Sequence, residues 1–383
     1  MNIFFIFYYF LSIIIYLFSL PFLIFISFKK KYKKSIPARF FLYKNPPFKE
    51  KNYYFHACSL GENRAISPFV KELNANVSVI TETGYNEAKK YAKEVRFLPF
   101  EIFIPFWFKK CKNLIVVEAE LWYMLFFIGK KKCNKTILLN ARISKKSYPK
   151  YLKFKWFYKK IFENIDLVLA QSENDKNRLK SLGAKNIKVI GNIKTYINPT
   201  ITTQYIKQKP LIVLASTHKN EEEILLNQIK DLKDFQIVVV PRHPERFDEV
   251  YEIMKRFGNP VRLSEKLKVK SEKFKLDDDF ILFDKMGELI NLYSIADVVI
   301  LGGSFVDNVG GHNPIEAAYF NVPIISGKYY FNQEALYNEV ENIYITHIED
   351  IPKLLNSNLK PTFIKNRVDL KKIIDIIKES DVL

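Results

Sequence analysis

The sequence has 383 residues, enough for two domains of ordinary size, and its 48% hydrophobic and 15% aromatic content excludes an intrinsically disordered chain. The formal net charge of +19 favours an anionic partner: a nucleic acid, an anionic lipid surface or a phosphorylated substrate. The three cysteines, Cys58, Cys111 and Cys133, are odd in number and lack CxxC spacing. They argue against a disulfide framework or a zinc site and fit a reducing compartment.

The chain begins with a hydrophobic segment. Residues 3–28 carry no charge, and only three serines and Pro21 interrupt the apolar run, which is long enough to span a bilayer. Five lysines follow between positions 29 and 34, and positive charge on that side predicts that the rest of the chain is cytoplasmic. We therefore predict a membrane anchor helix over residues 1–28. Whether the segment spans the membrane or lies in its interface stays open, because Pro21 can bend it.

After the anchor, short apolar runs alternate with helical patterns, which predicts α/β architecture with parallel sheets covered by helices on both faces. The pattern pauses over the polar stretch 195–209, a predicted linker, so we place a first domain at 29–200 and a second at 201–383. The tail 361–383 is read as a helix that can cross back to the first domain. Each is expected to be a doubly wound Rossmann-like domain, with ligands at the carboxyl ends of the strands. The predicted strands are 53–57, 77–80, 114–117, 136–139, 166–170 and 187–190, then 211–215, 236–240, 280–283, 298–301 and 322–325.

Polar side chains follow several of these strands. Glu62 lies at a strand-to-helix turn in HACSLGENR, where a carboxylate can take a proton from an attacking hydroxyl, although a glutamate at a helix start is also a common cap. Glu118 and Glu120 follow another strand in EAELW, and Lys194 ends GNIK, where it can meet a phosphate or carboxylate. Successive polar strand ends predict a site at this edge.

The second half contains a glycine-rich loop. Four of the chain's 12 glycines lie in GGSFVDNVGGHNPIEAA, residues 302–318, after a predicted buried strand. Asn313 is expected to cap a helix that begins at Pro314 and continues over 315–320, and Glu316 lies in its first turn. Such a loop suits phosphate or nucleotide binding, and the alternative is a tight connection without a ligand. Arg242 suits a bidentate phosphate contact, His243 can donate to a phosphate or fix its loop, and Gly287 leaves room for a base or ribose.

Two segments combine aromatic residues with lysines: Phe100–Lys110 and Tyr151–Lys160. This composition is typical of a surface near anionic lipid headgroups. The alternative is an amphipathic helix packed on the sheet with its lysines in solvent.

Taken in order, these motifs resemble the 3-deoxy-D-manno-octulosonic acid (Kdo) transferases of lipopolysaccharide biosynthesis. The stretches that carry the resemblance lie between positions 56 and 318: HACSLGE, EAELW, NARIS, GNIK, STH, PRHPERF, MGEL, LYSIAD and GGSF…GGHNPIEAA. The resemblance implies an inverting glycosyltransferase of the GT-B type, with two Rossmann-like domains facing a cleft. It further implies CMP-Kdo as donor, and lipid IVA, the lipid A precursor, as acceptor. It also implies attachment to the lipids of the inner membrane, with the catalytic domains on the cytoplasmic face.

The resemblance also implies roles for individual residues. Glu62 would be the general base, and Glu120 and Lys194 would stabilise the transition state. The donor would be bound by Pro241, Arg242, His243, Met286, Gly287, Glu288, Gly311, His312, Asn313, Pro314, Ile315 and Glu316. No metal or other cofactor is expected, since a helix end, Arg242 and Lys194 can meet the departing phosphate charge without one.

The sequence departs from the family pattern in two places. Tyr123 and Met124 follow EAELW where the family usually has Pro-Asn, and the loop between Ser304 and His312 is slightly longer than usual. Two other functions stay open: another membrane-associated GT-B transferase or epimerase using a UDP-sugar, and a non-catalytic membrane-tethered protein that binds anions or nucleic acid. We expect no nucleic-acid partner. The sequence does not define the number of Kdo units, the acceptor's acylation or phosphorylation, or the oligomeric state.

Overall fold

The computed structural model describes residues 3–29, 31–196, 199–266 and 273–379, which form two compact units. The first unit contains the described residues up to Tyr196 together with those from Val368 onward, and the second contains the residues between. Parts of the predicted anchor (1–2), lysine run (30), linker (197–198) and second domain (267–272 and 380–383) lie outside the described residues.

The first unit is built on short parallel strands connected by helices. Its strands are β1 (Tyr54–His56), β2 (Asn76–Val79), β3 (Val95–Phe97), β4 (Cys111–Val117), β5 (Cys133–Ala141), β6 (Leu167–Ala170) and β7 (Ile187–Val189). Its helices are α1 (Ile3–Ser27), α2 (Ser35–Phe40), α3 (Leu60–Glu72), α4 (Glu82–Ala88), α5 (Ile104–Trp107), α6 (Tyr123–Lys132), α7 (Tyr148–Lys153), α8 (Lys155–Phe162), α9 (Glu173–Ser181) and α17 (Leu370–Glu379). Short 3-10 helices lie at Glu101–Phe103 and Ile193–Thr195.

The seven strands of this unit form one sheet in the order β3-β2-β1-β4-β5-β6-β7. Alternate residues of the central strand β4 enter two separate hydrophobic clusters: Leu114 and Val116 pack in one, Ile115 and Val117 in the other. A sheet buried on both faces explains why the strands read as continuous apolar runs rather than as an alternation of apolar and polar residues.

The second unit has the same plan. Its strands are β8 (Gln204–Lys207), β9 (Leu211–Thr217), β10 (Gln236–Pro241), β11 (Val261–Arg262), β12 (Lys273–Leu276), β13 (Phe280–Leu282), β14 (Val298–Leu301), β15 (Ile324–Ser326), β16 (Val340–Glu341), β17 (Ile343–Ile345) and β18 (Phe363–Ile364). Its helices are α10 (Glu221–Ile229), α11 (Phe247–Met254), α12 (Leu263–Lys266), α13 (Leu289–Tyr293), α14 (Ile315–Tyr319), α15 (Glu334–Tyr337) and α16 (Ile351–Leu355), with 3-10 helices at Pro244–Arg246 and Ile348–Asp350.

Seven of these strands form a parallel sheet in the order β11-β13-β10-β9-β14-β15-β17, and β8 with β12 and β16 with β18 form two small sheets. The central strand β9 again contributes side chains to the hydrophobic clusters on both faces of its sheet. Val213 and Ala215 pack in one cluster, and Ile212 and Leu214 pack in the other. The predicted α/β class with two doubly wound units is therefore confirmed.

The last described helix, α17, belongs to the first unit although the chain reaches it from the second. Ile373, Ile374 and Ile377 are buried in a cluster with the sheet and α3. The amide of Asn113, at the start of the central strand β4, donates to the carbonyl of Ile377 at 2.9 Å. Apolar residues at this spacing form one face of a helix, and that face closes the first core.

Two sequence interpretations are wrong. Cys111 and Cys133 are joined by a disulfide, because the parallel register of β4 and β5 pairs them directly, with 4.7 Å between their Cα atoms. The cysteine count therefore gives no argument for a reducing compartment. The predicted linker contains strand β8, whose Tyr205 is buried and donates its hydroxyl to Glu288.

Candidate functional site

In the first unit, Glu62 forms a capping box at the start of α3. Ser59 is the N-cap and accepts the amide of Glu62 at 3.3 Å, while its hydroxyl donates to Oε1 of Glu62 at 2.7 Å. The amide of Cys58 donates to Oε2 at 2.8 Å. Glu62 therefore caps helix α3, and it also lies in the strand-to-helix segment where the sequence predicts a catalytic carboxylate. Each carboxylate oxygen has two lone pairs, so both keep room for one further hydrogen bond.

Glu120 lies close to Glu62, although the two residues follow different strands. Burial raises the pKa of Glu120, and the negative charge of Glu62 raises it further. The indole of Trp122 donates to Glu120 at 2.7 Å. Burial beside these two carboxylates also raises the pKa of the Cys58 thiol to about 12. The structure thus brings together two of the three predicted catalytic residues, in a setting where one carboxylate holds a proton more tightly than usual.

Arg39 is a member of this group that sequence reasoning missed. It lies on α2, donates to the carbonyl of Leu98 at 3.0 Å, and interacts electrostatically with Cys58 and Glu120. Its only signal in the sequence is a single arginine in the apolar stretch IPARFF, too weak to select it.

Lys194 pairs with Glu118 rather than with Glu120. Its ammonium lies 2.5 Å from Oε1 of Glu118, which itself has a positive φ of 59° at the end of β4. Asn140, at the end of β5, accepts the amide of Ile193 at 3.0 Å and fixes the loop that carries Lys194. These contacts bring the strand-end residues of EAELW, NARIS and GNIK together at one edge of the sheet.

His56 is structural. It is fully buried on β1, its Nδ1 lies 2.8 Å from the hydroxyl of Ser78, and burial and the charge of Arg39 lower its pKa to about 3.

In the second unit, three histidines meet at the carboxyl edge of the sheet. His218 and His312 stack with 5.0 Å between ring centroids, and their Nε2 atoms are 2.9 Å apart. His243 packs edge-on against His218 at 5.1 Å. Burial, followed by the neighbouring histidine and arginine charges, lowers the pKa of both His218 and His312 to about 4. Both rings are therefore neutral at neutral pH, and one Nε2 can donate to the other.

Arg242 lies beside this pair, after β10. Its amide donates to the carbonyl of Thr217 at 3.0 Å, and its side chain is exposed. Among the residues that the structure describes, its guanidinium forms no ion pair with a carboxylate. Burial raises the pKa of Glu316, and the charge of Arg242 opposes that rise, so the two predicted donor residues lie near each other. Pro241, just before Arg242, is buried as the last residue of β10.

The glycines of the loop after β14 are required by packing against protein. A Cβ on Gly302 would lie 2.8 Å from the carbonyl of Ser216, and one on Gly303 would lie 2.9 Å from the His312 ring. Gly311 has φ of 84°, and its Cβ would meet the backbone of Tyr330 at 2.9 Å. Gly287 is different: it has φ of 83° and open space within 4 Å. A ligand can therefore approach the backbone at Gly287, in contrast to the glycines of the loop after β14.

The residues on either side of Gly287 differ in exposure. Met286 is exposed, whereas Glu288 is buried and accepts from both Tyr205 and Lys285. Burial alone would raise the pKa of Glu288, but Lys285 and Tyr205 outweigh it and the net shift is downward. Glu288 thus fixes the backbone beside the open glycine.

The helix predicted after Asn313 is short. α14 begins at Ile315 rather than Pro314 and ends at Tyr319, and Oδ1 of Asn313 accepts the amide of Ile315 at 3.0 Å. Pro314 and Ile315 are buried, so their side chains serve the core while Asn313 and Glu316 remain partly accessible. Five residues give a weaker dipole than the predicted helix would have.

Glu221 is the residue of this unit that sequence reasoning missed. It is fully buried at the start of α10, and its carboxylate accepts the amides of Gly303 at 2.7 Å, Phe305 at 3.0 Å and His218 at 2.9 Å. It therefore joins the glycine loop to the histidine loop. In the sequence it is one of three acidic residues in a first helical turn, a pattern that predicts only dipole compensation.

Family comparisons cover both units. Residues 34–197 match the family described as 3-deoxy-D-manno-octulosonic-acid transferase (kdotransferase). Residues 261–373 match the family described as glycosyl transferases group 1.

Three curated relatives match most of the chain. A bifunctional glycosyltransferase/methyltransferase of Fusobacterium nucleatum is 32% identical over 87% of this chain, which spans 58% of that longer protein. The 3-deoxy-D-manno-octulosonic acid transferase of Haemophilus influenzae is 29% identical over 91% of this chain and 92% of its own length. The corresponding transferase of Chlamydophila psittaci is 30% identical over 80% of this chain and 76% of its own length.

Proposed function

Because this chain belongs to the 3-deoxy-D-manno-octulosonic acid transferase family, we propose that it transfers Kdo from CMP-Kdo to lipid IVA, a lipid A precursor, with inversion at the sugar carbon. The observation that carries the proposal is that family membership, which covers both units. The transferred sugar is the one in the relatives' names, while donor and acceptor follow from the motif resemblance.

The first unit supplies the acceptor chemistry in this proposal. The acceptor hydroxyl oxygen attacks the sugar carbon while its proton passes to Glu62, whose position is held by Cys58 and Ser59. At the same edge, Glu120 provides a negative group for the cation-like sugar, and Lys194 provides a positive group for the carboxylate of that sugar. Since one displacement gives inversion, no nucleophile of the protein is needed.

The second unit supplies the donor chemistry. As the bond between the sugar carbon and phosphate oxygen breaks, the electron pair leaves with CMP, and Arg242 and His243 meet the phosphate charge. The nucleoside lies on the open backbone of Gly287, beside Met286 and Glu288. Asn313 and Glu316 contact the ribose or base, while Gly311, His312, Pro314 and Ile315 shape the loop. No metal or other cofactor takes part in this scheme.

The location in this proposal is the cytoplasmic face of the inner membrane. Within the part of the chain that the structure describes, one helix, α1, is long and apolar enough to cross a membrane. The acceptor is a lipid that carries phosphates, so a basic chain bound to the membrane meets its substrate there.

The base assignment is tested by Glu62→Gln, with Glu72→Gln as the matched control at the exposed end of the same helix. Purified protein in detergent is given CMP-Kdo and lipid IVA, and product is measured by mass spectrometry. We expect Glu62→Gln to lose about 10²- to 10⁴-fold in rate and the control to keep wild-type activity. Undiminished transfer by folded Glu62→Gln would remove the base role and leave the family assignment intact.

A further inference from the structure

The hydrophobic helix α1 packs against the first unit near its own N-terminus. Phe5 stacks on Phe127 of α6 with 4.7 Å between ring centroids, and Phe4 lies edge-on to Tyr123 at 4.9 Å. Tyr8 donates its hydroxyl to the buried carboxylate of Glu101. This end of the helix is therefore fixed to the body of the protein by polar and aromatic contacts.

The packing continues to the other end of the helix. The hydroxyl of Tyr16 donates to the carbonyl of Phe40 at 2.7 Å, and its ring contacts Phe103 with 5.4 Å between centroids. Leu23 is only 5% exposed. From Phe4 to Leu23 the helix rises about 28 Å, nearly the thickness of a bilayer's hydrocarbon core, about 30 Å.

This length of contact conflicts with a helix that crosses the membrane. If α1 crossed, the part of the first unit packed beside both its ends would lie in hydrocarbon as well. That part includes Lys131, whose ammonium lies 6.0 Å from the ring centroid of Phe5, and the exposed Lys155 next to Trp156. Charged side chains and irregular backbone facing lipid are strongly unfavourable.

The opposite face of α1 is exposed and apolar along its whole length. Its exposed large side chains are Ile3, Ile6, Phe7, Phe10, Leu11, Ile15, Leu17, Phe18, Phe22, Ile24 and Phe25. Trp156, also exposed, has its ring centroid 6.2 Å from that of Phe4, and Leu152 and Phe154 are exposed nearby in sequence. A contiguous apolar patch of this kind marks an interaction site.

The charged residues around this apolar patch indicate which kind of partner covers it. Lys29, Lys31 and Lys33 are exposed just after α1, and Lys153 and Lys155 alternate with the exposed apolar residues of α7 and α8. Lysines at the border of an apolar face match anionic headgroups above a hydrocarbon layer, whereas a protein partner would not require them. Both aromatic-basic segments of the sequence lie here: Phe103 and Phe157 contact α1.

We propose that α1 does not cross the bilayer but lies in the plane of its cytoplasmic leaflet, as one ridge of a monotopic lipid-binding face completed by α7 and α8. An interfacial helix normally needs a polar face toward water. In this chain, the side of α1 that would otherwise meet water packs against the first unit instead. The inference rests on the membrane attachment in the proposed function and not on the transfer reaction.

The orientation is tested by labelling two variants of the full chain, Ile3→Cys and Lys29→Cys, with a membrane-impermeant maleimide. Wild type, with its native cysteines, sets the background. We expect Lys29→Cys to be labelled in inverted inner-membrane vesicles and neither variant to be labelled in intact spheroplasts. Labelling of Ile3→Cys in intact spheroplasts would mean a crossing helix and would overturn the proposal. The labelling requires neither CMP-Kdo nor lipid IVA, so a failure of this test can be distinguished from a failure of the transfer assay.

The lipid-binding face is tested by flotation with phosphatidylglycerol-containing vesicles. Phe10→Glu and Phe18→Glu change exposed positions of α1, and Ile206→Glu, an exposed apolar residue of the second unit, is the matched control. We expect each α1 variant to lose roughly tenfold or more in vesicle binding and the control to keep it. If the variants instead dissociate a dimer and leave flotation unchanged, the face binds a second copy and the proposal is wrong.

Discussion

Single buried carboxylates hold together the loops that carry the proposed donor residues. Glu221 accepts hydrogen bonds from three backbone amides in two loops. A glutamine there would point its NH₂ group, which is a donor, at backbone amides that are also donors. We expect Glu221→Gln to lower the free energy of unfolding by about 1–3 kcal/mol and to raise the KM for CMP-Kdo more than it lowers kcat. Urea unfolding and steady-state kinetics measure the two effects.

The control for that variant is Glu223→Gln, on the same helix but exposed and paired only at the surface with Arg256. It should change neither stability nor KM measurably. A Glu221→Gln protein with wild-type stability and wild-type KM would show that the two loops do not depend on this carboxylate.

The histidine pair predicts a pH dependence of stability. The folded pKa of His218 and of His312 is about 4, below the ordinary value of 6.5. Between these values the unfolded chain binds protons that the folded chain does not, so the stabilising contribution is present above pH 6.5 and is lost as pH falls toward 4. Unfolding free energies should therefore decline over this window.

The decline should be shallower in His312→Asn than in wild type, when unfolding is followed at several pH values. His347→Asn, at an exposed histidine of the same unit, is the control and should keep the wild-type slope. Equal slopes in all three proteins would contradict the assignment of the acid sensitivity to the pair.

The sequence pointed to side chains at strand ends but not to the contacts that organise them. Glu62 and Glu120 could be selected because each lies in the segment between a strand and the next helix. Their closeness depends on neighbouring strands β1 and β4 ending at the same edge, which the strand order determines. Arg39 and Glu221 could not be selected, because a lone arginine and a first-turn glutamate are ordinary residues until tertiary structure buries them beside a charge or an amide.

At the scale of elements, α17 contributes to the first core from the end of the chain. Ile377 is fully buried there, whereas the adjacent Lys378 is exposed. We expect Ile377→Ala to lower the free energy of unfolding by about 2–5 kcal/mol, because it leaves a cavity under the sheet. Lys378→Ala, measured in the same urea titration, should stay within about 0.5 kcal/mol of wild type. A similar small effect for both would mean that α17 does not seal this core.

The strands were predicted more completely than the other elements because buried parallel strands are continuous apolar runs. All the predicted runs are strands, and Val298–Leu301 matches β14 at both ends. The strands β3, β11, β12, β16, β17 and β18 were missed. β8 was read as linker because two of its four residues, Gln204 and Lys207, are polar or charged and the surrounding stretch is polar.

At the scale of the whole molecule, the net charge and the exposed hydrophobic residues fit the lipid substrate that we propose. The net charge of +19 was ambiguous in the sequence, since nucleic acid, lipid and phosphorylated substrate all fit it. Family membership and the apolar face beside exposed lysines favour the lipid. Composition alone could not show that α1 packs along the body, because its apolar residues suit protein and bilayer equally.

The most direct test of the proposed function is Kdo transfer by the purified, detergent-solubilised chain, given lipid IVA and no added metal. CMP-Kdo and UDP-sugars are offered as separate donors, with free CMP and free UDP as competitors, and mass spectrometry reads the product. We predict that CMP-Kdo alone yields product and that CMP inhibits far better than UDP, while the product mass counts the Kdo units. A folded protein that transfers nothing from CMP-Kdo, or transfers a sugar from a UDP donor instead, would contradict the proposed function.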